Sequence, residues 1–212
     1  MDTIAPKPAY TVETLDDLAA LYQAPKEYAL TKETDHITAP GRAFIEAAPF
    51  VIMATATAEG IDCSPKGDAP GFVKILDERT LLVPDRPGNN RIDGMKNLIA
   101  NPKIGLIFMV PGADETYRVN GTATISADPD LMAHCEANGK PPRTVIVVTV
   151  EEAFNHCSKA FARSKLWDAG KQGRPEGVPT GGAFAAYRDG GDADYASRYD
   201  QDYAKRMPGE LY

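Results

Sequence analysis

The sequence predicts a mainly β (α+β) fold, an antiparallel barrel with flanking helices. Apolar runs of strand length recur from Phe50 onward, and short turn signals join most of them. Helical periodicity appears before the first strand, after the fourth and sixth, and again after the last. The regular strand–helix alternation of a parallel doubly wound sheet is missing. With 212 residues, 43% hydrophobic and 25% charged, the chain is long enough for one domain with extensions and too apolar for global disorder.

Each element has a local reason. "TVETLDDLAALYQAP" spaces Leu15, Leu18, Leu21 and Tyr22 along a helix, with Thr11 as N-cap and Pro25 as the stop. "APGRAFIEAAP" predicts a second short helix with Phe44 and Ile45 inward. "FVIMATAT", the turn "AEG" and "IDCSPK" read as a hairpin, and "GFVKILDERTLLVPD" reads as another about "DER". The loop "RPGNN" leads to a helix starting near Asn90 or Arg91, with Ile92, Met95, Leu98 and Ile99 on one face. "KIGLIFMV" has the apolar run of a central strand, and "ETYRVNGTATISA" alternates as a long one with Gly121 at a bulge or bend. "DPDLMAHCEAN" is a short capped helix, "RTVIVVTV" a buried strand, and "EEAFNHCSKAFARSKLW" a helix. After Trp167 the chain turns rich in Gly, Asp, Arg and Tyr, the composition of an extended tail that wraps a partner or stays mobile. The expected division is 1–48, a helical segment packing on the barrel, 49–168, the barrel, and 169–212, a C-terminal extension.

Several function classes are disfavoured. A net charge of −7 gives no footprint for nucleic acid. No apolar run approaches membrane-spanning length and no signal peptide opens the chain, so a cytoplasmic protein is expected. Three widely spaced cysteines suit reduced thiols, with no metal site: Cys63 is expected inside or near the site, and His134 and Cys135 at the surface. No G-x-G-x-x-G, P-loop or G-x-S-x-G occurs.

One corner does concentrate chemistry. In "VPDRPGNNRIDGMK", a helix start offers unpaired N–H groups, Asn89 and Asn90 can cap, and Arg91 and Lys96 add charge, which suits a phosphate. The same residues also suit an ordinary capped helix after a polar loop. Counting back from the "DER" turn sets Lys74 opposite Pro84 and Asp85, near that helix start. Ser64 and Lys66 arrive from the neighbouring strand, and Gly67, Pro70 and Gly71 permit a bend. Further on, His156, Lys159 and Arg163 stand at helical spacing as a cationic face ending near Trp167, which equally describes a solvated helix side.

The order and spacing of "SPKGDAPGFVK", "LLVPDRPGNNR", "NLIANPKIGLIF", "ETYRVNGTA" and "HCSKAFARSKLWD" resemble the pyridoxamine 5′-phosphate oxidase superfamily, in particular a branch of FMN-dependent proteins. That resemblance implies a six-stranded antiparallel split β-barrel over roughly residues 44–167. It implies FMN as cofactor, with Lys74 and Arg91 approaching the phosphate, Pro84 and Asp85 along the flavin edge, and Thr116, beside Glu115, near the ring. It also implies a tight homodimer with FMN at the subunit interface, where His156, Lys159, Arg163 and Trp167 act across the interface. Two departures stand out: Ala69 occupies a position where the oxidases carry arginine, and "YASRYDQDYAKRMPGELY" lacks their substrate motif. The implied activity is an FMN-dependent oxidoreductase of an unidentified small organic substrate, not pyridoxamine oxidation, with no residue assignable as acid or base. The alternatives are a flavin-binding or redox-sensing protein without turnover, or a split barrel using haem or a deazaflavin coenzyme.

Overall fold

The computed structural model describes residues 5, 7–171 and 173–212, and the chain divides into two units after Glu33. The second unit runs from Thr34 to Tyr212. In the first unit a 3-10 turn, Pro8–Tyr10, precedes helices α1 (Leu15–Leu21) and α2 (Glu27–Thr31). Thr14, not Thr11, caps α1: its hydroxyl accepts from the Asp17 N–H while Asp17 returns a bond to the Thr14 N–H, a reciprocal capping box. Leu15, Leu18, Leu21 and Tyr22 are exposed.

The second unit opens with α3 (Ala39–Ala47), started by Thr38 and seated through Gly41 and Ile45. Strands β1 (Phe50–Ala56), β2 (Ile61–Gly67), β3 (Lys74–Asp77), β4 (Thr80–Pro84), β5 (Lys103–Met109), β6 (Thr116–Ser126) and β7 (Val145–His156) form one sheet in the order β2-β1-β5-β6-β7-β4-β3. Every pairing is antiparallel, as expected, with seven strands in place of six. β2 and β4 have four strands between them in that order, yet Lys66 on β2 reaches Asp85 just past β4 at 3.1 Å. The sheet therefore curls back on itself. Its interior holds Val51, Met53, Leu81, Val83, Leu106, Phe108, Val119, Ile146 and Val148. The ladder of β6 and β7 shifts register at Asn120/Gly121, the bulge expected there, and a Cβ on Gly121 would overlap the Thr149 carbonyl.

Four sequence expectations need correction. Residues 151–156 continue β7 and do not begin a helix, because they pair with β6 as far as Thr116↔His156. The helix that follows, α6, spans only Lys159–Ser164, so His156 shares no helical face with Lys159 and Arg163. Helix α4 (Asp93–Ala100) starts later than Asn90, and its Ile99 is exposed while Leu98 is buried. Much of the expected extended tail is helical: beyond α5 (Pro129–His134), Thr180 caps α7 (Gly181–Asp189) and Asp192 caps α8 (Ala193–Glu210). Gly182 lets those last two helices meet, since a Cβ there would overlap the Ala196 carbonyl.

Candidate functional site

Edge strand β2 reverses the usual polarity of a strand. Asp62, Ser64 and Lys66, with Asp68 just beyond, are half-buried on one face, while Ile61, Cys63, Pro65 and Gly67 lie on the exposed face. Polar groups turn inward only where something polar receives them. Here a cleft of about 430 Å³ opens between this face, the end of β4, the loop of residues 86–92 and the start of α4. Gly94 allows that helix its close approach, because a Cβ would stand 2.9 Å from Asp62 Oδ2 and from Met53. Ile92 sits in the left-handed region at φ 49°, strain that the loop bears where it turns into α4.

Four cations line the cleft: Lys66, Arg86, Arg91 and Arg143. Lys66 Nζ donates to Asp85, with both side chains less than one-fifth exposed. Arg91, 77% exposed, donates to Asp93 at 2.8 Å. The Arg91 bond, and then that of Lys96, hold the Asp93 carboxyl below its ordinary range. Arg143 Nη1 donates to Asn90 Oδ1 at 3.0 Å, and Asn89 Oδ1 accepts from the Arg91 N–H, so neither asparagine side chain caps α4.

Arg86 differs from the other three. Its side chain is 14% exposed, and its Nε donates at 2.6 Å to Asp68 Oδ2, whose side chain is 3% exposed. Its Nη1 is buried without a hydrogen-bond partner among the described residues. A buried unmatched donor costs on the order of 1–3 kcal/mol, more for a charged group, and an anion is what such a donor accepts. Burial pushes the Asp68 carboxyl up, but hydrogen bonds from Tyr212, the Ala69 amide and Arg86 outweigh it and hold the group below its ordinary value.

Ser64, Lys66, Pro84, Asp85, Asn90 and Arg91 meet at this cleft as the sequence suggested. Lys74 does not line it. A two-residue turn at Glu78 and Arg79, followed by a register shift between Ile75 and Asp77, sets Lys74 opposite Leu82, not Pro84 or Asp85, and its Nζ donates to the Gly71 carbonyl at 2.8 Å. Glu115, Thr116, His156, Lys159, Arg163 and Trp167 are not part of the lining either. One row of paired residues crosses the sheet as Gly67, Phe50, Met109, Thr116 and His156. Counted along the sheet, Thr116 lies three strands and His156 four strands from the end of β2. Thr116 is buried and pairs with His156, while Trp167 stacks on Phe161 and donates to the Ala113 carbonyl at 2.8 Å.

Sequence reasoning passed over Arg86, Asp68 and Arg143. A signal existed for two of them, since Arg86 directly follows an apolar strand and Asp68 continues the alternation of Asp62, Ser64 and Lys66. The cysteines reverse their expected places. Cys63 is exposed on the outer face of β2, whereas Cys135 is buried with Leu82 and Val145. Burial pushes the Cys135 thiol up against the opposing pull of Arg86 and Lys74.

A family model described as pyridoxamine 5′-phosphate oxidase matches residues 37–157. The comparison with curated proteins gives no match. Among solved structures, HupZ of Group A Streptococcus is similar at 22% identity, covering 56% of this chain and 93% of that one with a TM-score of 0.46. A candidate pyridoxamine 5′-phosphate oxidase of Lactobacillus delbrueckii is similar at 23% identity, covering 57% and 95% with a TM-score of 0.46. General stress protein 26 of Bacillus anthracis stands at 15% identity, 54% and 88%, with a TM-score of 0.41. The family match covers more than half of a chain whose antiparallel strands curl as described, and this chain belongs to the pyridoxamine 5′-phosphate oxidase-like split-barrel superfamily.

Proposed function

We propose that the chain is an FMN-binding flavoprotein and an FMN-dependent oxidoreductase of a small organic substrate. Arg86 is the observation that carries this reading: a guanidinium pinned by buried Asp68 at a cleft, with Nη1 unmatched. A phosphate monoester brings the acceptor oxygens that this donor lacks, and Lys66, Arg91 and Arg143 line the same cleft. Phe72, Pro84 and Met95 supply apolar walls that favour a flat ring over a bare anion.

FMN, when bound, supplies hydride and electron transfer. The chain's own residues bind, orient and exclude water. Arg86 and Arg91 hold the phosphate, Ser64 and Lys66 face the ring or substrate from β2, and Asp85 keeps Lys66 in place. Lys74 serves the site through the bend it ties to Gly71. Ser64 Oγ donates to Asp62 Oδ2 at 2.8 Å, which leaves its oxygen free to accept from a ligand. Glu115, Thr116, His156, Lys159, Arg163 and Trp167 enter as a second copy's contribution to a shared site in a homodimer. Their separation from Lys66 along the sheet supports that assignment. Three free cysteines support a cytoplasmic setting, and no described helix is long and apolar enough to cross a membrane.

Denaturing the purified protein and weighing the released chromophore tests the reading. FMN is expected; haem, a deazaflavin coenzyme or no chromophore overturns it. A bound FMN that neither NADH nor NADPH reduces would make the chain a flavin carrier and not an enzyme.

A further inference from the structure

The geometry assigns Tyr212 as a positioning residue that keeps Arg86 turned toward an anionic group in the cleft. The assignment rests on the reading that the cleft takes such a group. Tyr212 follows α8, yet its hydroxyl donates to Asp68 Oδ1 at 2.5 Å across 144 residues of sequence. The same Oδ1 accepts from the Ala69 N–H at 2.7 Å, and only Oδ2 receives Arg86, through Nε. A carboxylate oxygen has two lone-pair sites, and here both on Oδ1 are taken.

The consequence falls on Arg86. Guanidinium and carboxylate pair most strongly through two parallel bonds, and a free Oδ1 would draw a second guanidinium nitrogen into such a fork. By filling Oδ1, Tyr212 limits Arg86 to a one-armed pair through Nε and keeps Nη2, on the same side as Nε, from closing the fork, so that Nη2 stays beside the unmatched Nη1 for an anion. The tyrosine ring restrains the same group from its face, with Arg86 Cζ 5.9 Å from the ring centroid. Tyr212 is itself anchored: Lys140 Nζ donates to its carbonyl oxygen at 2.9 Å, and the Asn138 side chain lies at its hydroxyl. Arg143, which lines the cleft, follows on the same stretch of chain as these two anchors. The bond to Asp68 raises the Tyr212 pKa above its ordinary value, so the hydroxyl remains a donor at neutral pH.

The test measures the affinity of the whole protein, stripped of bound ligand, for inorganic phosphate, FMN and riboflavin by calorimetry. Tyr212→Phe should weaken phosphate and FMN by about three- to tenfold, as loss of part of a charge-assisted bond would, and leave riboflavin unchanged. In an Asp68→Asn background the same change should add nothing further, because the effect passes through the carboxylate. Equal losses for FMN and riboflavin, or no loss for phosphate, overturn the role of Tyr212. A wild-type protein that binds phosphate but not FMN overturns the flavin reading alone, and the phosphate arm still decides Tyr212. A wild-type protein that binds none of the three overturns both.

Discussion

β2 and β4 approach each other at the cleft and are opposite in composition. β4 carries Leu81, Leu82, Val83 and Pro84, all buried, and is flanked by β3 and β7. β2 has no buried residue, pairs only with β1, and turns Asp62, Ser64 and Lys66 inward. An edge strand with a polar inner face adds little hydrophobic stabilisation, so its inward residues serve what the cleft holds. The barrel is therefore divided between strands that hold it together and a strand that equips it.

That division can be broken most sharply by truncation on each side. Leu82→Ala removes a fully buried side chain packed with Cys135 and Val145 and should cost about 2–5 kcal/mol in denaturant unfolding. Ser64→Ala on β2 should stay within about 0.5 kcal/mol, as substitutions away from the core do. Comparable losses in the two variants would show that β2 is as structural as β4.

The two arginines at the mouth of the cleft sharpen the comparison next. Arg86→Ala should weaken FMN binding by about 1.5–3 kcal/mol, the scale of a charge-assisted bond made in a buried setting. Arg91 is 77% exposed and already paired with Asp93, so Arg91→Ala should cost less than about 1 kcal/mol in the same titration. A reversed order would move the phosphate to the outer rim, at the start of α4.

The smallest effect lies on the acid side. The folded pKa of Asp68 is below its ordinary value of 3.8, so its ionised form contributes stability above that pH, and the contribution is lost as pH falls through the lower folded value. Thermal melting should hold level down to about pH 4 and then decline, with a shallower decline in Tyr212→Phe, which removes one of the bonds that depress Asp68. An identical acid limb in the variant would mean that Tyr212 does not stabilise the ionised carboxylate.

Much of the frame is legible in the sequence because it is set by near neighbours. The turn after β1, the apolar run of β5, the Gly121 bulge and the Asp128 cap of α5 each follow from a few adjacent residues. Half of the candidate site is legible for the same reason: Ser64 and Lys66 alternate along one strand, and Pro84 to Arg91 are contiguous. Less local outcomes were missed. "EEAFNH" has helical composition, but the waiting edge of β6 extends β7 through it, and cross-strand pairing outweighs local preference. Lys74 was misplaced because its partner depends on the whole β3–β4 register, which includes a shift between Ile75 and Asp77 and ends with Lys74 at Leu82, short of Pro84 and Asp85.

By itself the sequence determined the antiparallel class, the strand hairpins and a basic, glycine-containing corner, because hydrophobic period and turn chemistry are properties of short segments. Only the tertiary structure decided which cation is buried at the cleft and what steadies it. Arg86, Asp68 and Tyr212 lie far apart in the chain, and nothing local in any of them encodes the closure of the sheet that brings β2 to β4 or the path of α8 that returns Tyr212 to both.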